Sequence, residues 1–267
     1  MESNLPIPIS VVITVRNEAR NIRDLLDSLV VQEGPFELVA VDSDSEDGTG
    51  EIILSYDSVF PVNYLRRRCS RGEGRNLGVA SSRYDHIVFL DGDSVCDRDL
   101  LHSYRKQFDA GYELIAGVNR PTGKSQFAGL QRVKLMVNGF EITSPSSNLG
   151  YTKPLFIRLG GFDQSFVTAE DIDLNFRAVT ANAKFTVCEN CVAFVKTRNS
   201  YTSFMKQAFW NGYGRGQLRL KHRRDWNLVQ KAGYGGGSRP VQNALRLLLG
   251  SLGYVYAILR RGKYPFR

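Results

Sequence analysis

Two aspartates separated by one glycine, Asp91-Gly92-Asp93, follow directly on the apolar run Ile87 to Leu90. Like charges so close repel unless a cation sits between or beside them. Mg²⁺ or Mn²⁺ suits the pair, because a hard cation takes one or two carboxylates and completes its shell with phosphate oxygens and water. Such an ion would neutralise a departing diphosphate. A second acidic group lies in Thr168-Ala169-Glu170-Asp171-Ile172-Asp173, which reads as the start of a helix. Acids there favour the helix dipole whatever else they do. The same position can also keep a carboxylate ionised and facing a cleft, as a general base requires. A third group is Gly72-Glu73-Gly74-Arg75-Asn76-Leu77-Gly78. It departs from a dinucleotide fingerprint, since its third glycine comes one residue late and it follows the third strand-like run, not the first. It reads instead as the glycine-rich start of a helix that offers Arg75 to a phosphate or a nucleobase.

These groups need elements to position them. Ile9 to Val15, Glu37 to Val41, Val62 to Leu65 and His86 to Leu90 read as strands, with apolar runs too continuous for half-exposed edges. Between the first two, Ile22, Leu25, Leu26, Leu29 and Val30 recur at helical spacing, with Asn17 as a plausible cap. Further helices fit Gly48 to Tyr56, Gly74 to Ser82 and Asp97 to Phe108. Strands alternating with helices predict an α/β fold with a parallel sheet covered on both faces. Ligands of such sheets bind beyond the carboxyl ends of the strands. Those ends are polar here: Thr14-Val15-Arg16-Asn17-Glu18, Asp42-Ser43-Asp44-Ser45 and Asp91-Gly92-Asp93. For Asp47 and Asp97 a capping role suffices.

With 42% hydrophobic residues, the 267-residue chain can build a sizeable core. The pattern predicts a first lobe over 1–98, a second over 99–222 and a basic, apolar tail over 223–267. No basic start or apolar run precedes the first strand, which gives a cytoplasmic expectation. Cys188 and Cys191 form a C-x-x-C pair, but His86, His102 and His222 lie far off in sequence, so two reduced thiols are expected rather than a zinc site. The net charge of +8 would draw nucleotides, nucleic acids, acidic glycans or anionic membrane surfaces alike. A nucleic-acid-binding protein would interleave aromatics with its basic residues on one surface, and the spaced acids argue against one, so no nucleic-acid partner is expected. A nucleotidyltransferase would also use an α/β sheet, acids and metal, but its glycine- and lysine-rich loop after the first strand is absent.

The order of V-V-I-T-V-R-N-E, V-D-S-D-S-E-D-G-T, G-R-N-L-G, F-L-D-G-D, L-G-G-F-D and E-D-I-D-L closely resembles family 2 inverting glycosyltransferases of the GT-A fold. The resemblance spans residues 9 to 215. It implies a Rossmann-like, mostly parallel sheet with a C-terminal helical tail and a nucleotide-sugar donor lying across the strand ends. Carried over by position, Thr14, Arg16 and Glu18 line the nucleoside pocket and Asp42 hydrogen-bonds the base. Arg75 approaches the base or ribose, Asp91 faces the ribose or the metal, and Asp93 holds Mn²⁺ or Mg²⁺. Asp171 is the implied base that activates the acceptor. Gly161, Glu170 and Arg215 are assigned to the acceptor side.

Two departures from the family pattern matter. Arg16 stands where the family commonly has an aromatic, and a guanidinium plane can also stack on a base. Ser43 stands where a second aspartate is common, with Asp44 one place later, so uridine or guanosine stays open, a UDP-sugar being preferred to a GDP-sugar. The implied acceptor is a saccharide or a lipid-linked saccharide. Aromatics from Tyr201 to Tyr213 recur at helical spacing and read first as core, while the glycines and Arg215 after them could close over a diphosphate. Leu245 to Leu259 is too short to span a membrane, which takes about 20 residues. With Arg260, Arg261 and Lys263 beside it, it fits either a peripheral interfacial helix or a helix packed on the second lobe.

Overall fold

A computed structural model describes residues 6–123, 133–196, 200–232 and 240–260. Strands β1 (Ile9–Val15), β2 (Phe36–Asp42), β3 (Val62–Arg66) and β4 (His86–Asp91) lie parallel, as the alternating pattern predicts. They belong to an eight-stranded sheet completed by β5 (Ser94–Cys96), β6 (Leu114–Thr122), β9 (Asn148–Thr152) and β10 (Phe185–Lys196). A separate three-stranded sheet holds β7 (Lys134–Val137), β8 (Phe140–Glu141) and β11 (Gln230–Ala232). The large sheet runs in the order β3-β2-β1-β4-β9-β6-β10-β5, with β9 antiparallel to both β4 and β6. β1 and β2 are almost wholly buried because they sit inside the order. β3 is a correction: it forms the edge, and its residues are only half-buried. The apolar Val62, Tyr64 and Leu65 around Asn63 therefore did not separate an edge from a centre.

Helices α1 (Ile22–Val30), α2 (Thr49–Leu54), α3 (Arg71–Ser81), α4 (Leu100–Asp109) and α5 (Lys153–Arg158) accompany the sheet. In α1 four of the five expected residues, Ile22, Leu25, Leu26 and Leu29, are fully inaccessible, whereas Val30 at the helix end is 46% exposed. Asn17 does not cap it. Asn21 holds the N-cap position, while Asn17 sits at a φ of 54° and its Oδ1 accepts the Glu46 N–H. α3 begins three residues before the expected Gly74, because Ser70 accepts the Glu73 N–H and opens the helix there. Its glycines let it lie close on β1. A Cβ on Gly74 would stand 2.6 Å from Thr14 Cγ2, and one on Gly78 would stand 2.4 Å from Val12 Cγ1.

The chain forms two compact units from interleaved stretches. Unit 1 takes Met1–Pro121, Ser144–Phe162 and Ala181–Lys196, and contains the large sheet. In it Cys188 and Cys191 of β10 are joined by a disulfide, where two reduced thiols are expected from the sequence. Their Cα atoms stand 5.2 Å apart, within reach of a bridge, so the chain bends between them, since three residues of extended strand would span about 10 Å. Cys96 is a free, buried thiol whose pKa burial pushes up to about 12.

Unit 2 takes Thr122–Thr143, Asp163–Thr180 and Thr197–Arg267. It contains the small sheet with α6 (Glu170–Thr180), α7 (Tyr201–Lys221) and α8 (Pro240–Leu259). The aromatics of α7 are core in part: Tyr213 is fully buried, packing on Trp210 at 5.5 Å and on Tyr256 of α8 at 6.0 Å. The apolar tail segment is α8, packed on α7; Arg261 and Lys263 of its basic flank lie outside the described residues. Among the described residues, no helix is long and apolar enough to cross a membrane.

Candidate active site

In unit 1 three polar strand ends stand side by side. Thr14 of β1 is in register with Asp91 of β4, and Val15 with Asp42 of β2. Gly92 is required in the D-G-D turn, since a Cβ there would come within 2.8 Å of Val15 Cγ1. Asp91 and Asp93 are both partly exposed. The Asp91 carboxylate accepts a hydrogen bond from Arg75 Nη2 at 2.9 Å, and Arg75 itself is only 2% exposed. Its guanidinium also lies 5.5 Å from the centre of the Phe162 ring. A buried cation so held orients Asp91 as much as it meets any ligand. Phe162 is fixed in turn by Asn76, which donates to the Phe162 carbonyl and accepts its N–H, both at 2.8 Å. Gly161 supports that turn at a φ of 69°. A side chain there would strike Asn76 Oδ1 at 2.6 Å.

Asp42 is 1% exposed. Its two oxygens accept the Ser45 N–H at 2.8 Å and the Tyr64 hydroxyl at 2.7 Å. Burial, and then the Asp42 carboxylate, push the Tyr64 phenol well above its ordinary pKa. Asp42 thus braces the Ser43 to Ser45 loop from beneath. The more exposed acid of that loop is Asp44, at a φ of 61° and paired with Arg66 at 2.9 Å. Thr14 Oγ1 is buried with no hydrogen-bond partner among the described residues. Arg16 is exposed, and Glu18 takes the side-chain amide of Asn21 at 2.9 Å. Asp47 does what a turn acid does, accepting from the Ala19 and Thr49 N–H groups. Its hydrogen bond from the Thr49 hydroxyl is the leading cause of its lowered pKa.

In unit 2 the three acids at the start of α6 differ sharply. Asp173 is fully buried and paired with Arg177 at 2.7 Å, His222 at 2.7 Å and Lys221 at 2.8 Å. Glu170 is 6% exposed. Asp171 is partly exposed, and its Oδ1 accepts the N–H of Ile172 at 2.8 Å. Of the three, Asp171 is the most exposed. Arg215 donates from Nη2 to the Val133 carbonyl at 2.7 Å, so it ties α7 to the strand segment that follows.

The sequence assigns no role to Tyr64, Phe162, Asn76 or His222, although Asn76 and Phe162 stand inside the G-R-N-L-G and L-G-G-F-D motifs. Asn76 and Phe162 carried a weak signal by adjoining Arg75 and the Gly160-Gly161 pair, whereas Tyr64 and His222 carried none. Among the described residues, no three His, Cys, Asp or Glu side chains gather to hold a metal ion by themselves. The D-G-D turn nevertheless suits an ion that draws its remaining ligands from a diphosphate and water.

The family model "Glycosyl transferase family 2" matches residues 10–165. Glycosyltransferase AglE of Haloferax volcanii is 27% identical over 234 residues, which is 82% of this chain and 76% of that protein. Other curated relatives are matched over less of their length, 28% and 31% in two cases. Among solved structures, S. aureus TarS 1-349 in complex with UDP-GlcNAc aligns with a TM-score of 0.62 at 17% identity, over 98% of this chain and 93% of that one. Mannosyltransferase PcManGT from Pyrobaculum calidifontis, in complex with GDP-Man and Mn²⁺, aligns with a TM-score of 0.65 at 17% identity, over 94% and 75%. At such identities the structural likeness concerns the fold.

Proposed function

The chain belongs to glycosyl transferase family 2 and is a glycosyltransferase, and from that premise we propose that it moves a sugar from a nucleoside diphosphate to an acceptor hydroxyl with inversion. The observation that carries this reading is the register of Thr14 with Asp91 and of Val15 with Asp42. It sets a row of polar groups across neighbouring strand ends, where an open α/β sheet binds its ligand. Thr14, Arg16 and Glu18 line the nucleoside, the loop braced by Asp42 meets the base, and Arg75 meets the base or ribose. Asp93, with Asp91, would hold Mn²⁺ or Mg²⁺, which supplies charge neutralisation to the leaving diphosphate. Arg75 or Arg215 adds positive charge on that side. Asp171 takes the proton of the acceptor hydroxyl as its oxygen attacks the anomeric carbon and the bond to the diphosphate breaks. One displacement from the opposite face inverts the configuration. Gly161 and Glu170 stand on the acceptor side, and the acceptor is a saccharide or a lipid-linked saccharide.

A UDP-sugar is our preferred donor; the UDP-GlcNAc complex of TarS and the GDP-Man and Mn²⁺ complex of PcManGT support a nucleotide-sugar of either base, and the latter supports a divalent metal. The test needs no knowledge of the acceptor. A panel of UDP- and GDP-sugars is incubated with the full chain and Mn²⁺, and slow hydrolysis of the donor is followed. Hydrolysis of a UDP-sugar that EDTA stops is the expected result. Failure of every donor to bind or turn over, with and without metal, would remove the reading.

A further inference from the structure

α8 has two different faces. One is packed so closely on α7 that a Cβ on Gly253 would stand 2.0 Å from the Phe209 carbonyl oxygen, and one on Gly212 would stand 1.9 Å from that of Gly250. The opposite face carries Leu248, Leu252, Val255 and Leu259, which are 59, 53, 52 and 76% exposed. Spacings of four, three and four residues place these side chains on one stripe. Leu247 and Ile258 flank it, and α8 contains no Asp or Glu at all. A stripe of large apolar side chains rimmed by polar groups marks an interaction surface.

Along the sequence of α7, α8 and the stretch between them the charge is almost all basic. From Tyr201 to Arg260 the sequence holds ten Lys and Arg residues against one acid, Asp225. Gly212 meets Gly250 and Gly216 meets Ala257, so α7 and α8 run in the same direction and their C-terminal ends coincide. Arg223 and Arg224 are exposed just beyond the end of α7, and Arg219 reaches α8 through Nη1 to the Tyr254 hydroxyl at 3.0 Å. Arg260 closes α8 at that same end.

We propose that this face of unit 2 is a membrane-docking surface. α8 lies in the plane of an anionic bilayer, with Leu248, Leu252, Val255 and Leu259 in the boundary between headgroups and acyl chains. The arginines at the shared helix end then meet lipid phosphates. Charge complementarity selects this occupant. A second copy of the chain would bring two strongly basic surfaces together, which like-charge repulsion opposes. The inference rests on α7 and α8 and not on the reaction assigned above.

The test is flotation of the full chain with vesicles of phosphatidylcholine, alone and with phosphatidylglycerol. The wild type should float with the anionic vesicles, and raised salt should weaken its binding by screening. The triple variant Leu248→Gln, Leu252→Gln, Val255→Gln should partition more than about tenfold less, since the apolar insertion is gone. The double variant Arg223→Gln, Arg224→Gln should lose affinity for the anionic vesicles while keeping its weak affinity for the neutral ones. Equal flotation of wild type and triple variant would overturn the proposal. So would a wild type that stays with the soluble fraction, or one whose sedimentation shows a dimer dissolved by the triple substitution without any vesicle binding.

Discussion

Two residues apart in α6, Asp171 and Asp173 have different fates because a helix turns about 100° per residue. Asp173 points inward to Arg177, Lys221 and His222, which leaves it no proton-transfer role towards an external hydroxyl. Asp171 is partly exposed and can serve as the base. Asp171→Asn keeps size and hydrogen bonding but removes basicity, so donor binding should persist while transfer falls by about 10² to 10⁴. Near-normal turnover of that variant, or a product of retained configuration, would move the base elsewhere. The metal assignment has its own residue. With Asp93→Ala the affinity for a nucleoside diphosphate should no longer differ with and without Mn²⁺, measured by calorimetry, while the circular dichroism spectrum stays unchanged. A preserved difference would show that the ion is held by other groups. Such acids are legible in a sequence because their types stand together within a few residues, next to a strand-like or helix-like run. The side chains behind them are not. Tyr64 lies 22 residues from the Asp42 it donates to, and Phe162 lies 86 residues from the Asn76 that fixes it, so only the fold brings each pair together.

At the scale of elements, β1, β2, β4, α1 and α4 could be read directly, since periodicity and burial agree over each of them. The failures have local causes. β3 reads as interior because Val62, Tyr64 and Leu65 are apolar, yet a strand's place in the sheet depends on what pairs with it. Asn17 reads as a cap because of its type, but its positive φ belongs to a loop held by Ser45, whose Oγ accepts the Asn17 N–H. The glycines of α7 suggested closure over a ligand; Gly212 and Gly216 pack against α8, while Gly214 meets Thr168 and Ala169 just before α6. This is testable on one helix. A Cβ on Gly253 would meet the Phe209 carbonyl oxygen at 2.0 Å, whereas one on Gly250 finds its nearest neighbour at 3.5 Å. Gly253→Ala should therefore destabilise by about 1–3 kcal/mol through overpacking, despite its better helix propensity. Gly250→Ala should gain up to about 1 kcal/mol from that propensity alone. Thermal melts decide the matter, and a higher melting temperature for Gly253→Ala would mean that the two helices are not in this contact.

On the scale of the whole molecule, charge is what the sequence states most plainly, and the interleaving of the two units is what it states least. The molecule has 35 Lys and Arg against 27 Asp and Glu, so protonating its carboxylates adds repulsion to an already positive chain. Within unit 2, the stability lost in acid comes chiefly from a specific cluster. Burial alone would raise the Asp173 pKa, but the His222 hydrogen bond, Arg177 and Lys221 outweigh it and hold the pKa below the ordinary carboxylate value. Asp163 is likewise lowered, to about 2, its own desolvation being outweighed chiefly by its hydrogen bond from Lys221. A carboxylate whose folded pKa lies below its unfolded pKa stabilises the fold fully above the unfolded value, about 3.9 for Asp. That stability is lost as pH falls through the folded value. Urea unfolding midpoints should thus be level near neutrality and fall steeply between about pH 4 and pH 2. Asp173→Asn leaves Arg177 and His222 facing a neutral amide in a buried site, while Lys221 keeps Asp163, and should cost about 3–5 kcal/mol at pH 7. The same variant should lose less stability on acidification than the wild type, because the group that titrates in the cluster has been removed. Parallel pH profiles for wild type and variant would show that Asp173 is not what couples this fold to protons.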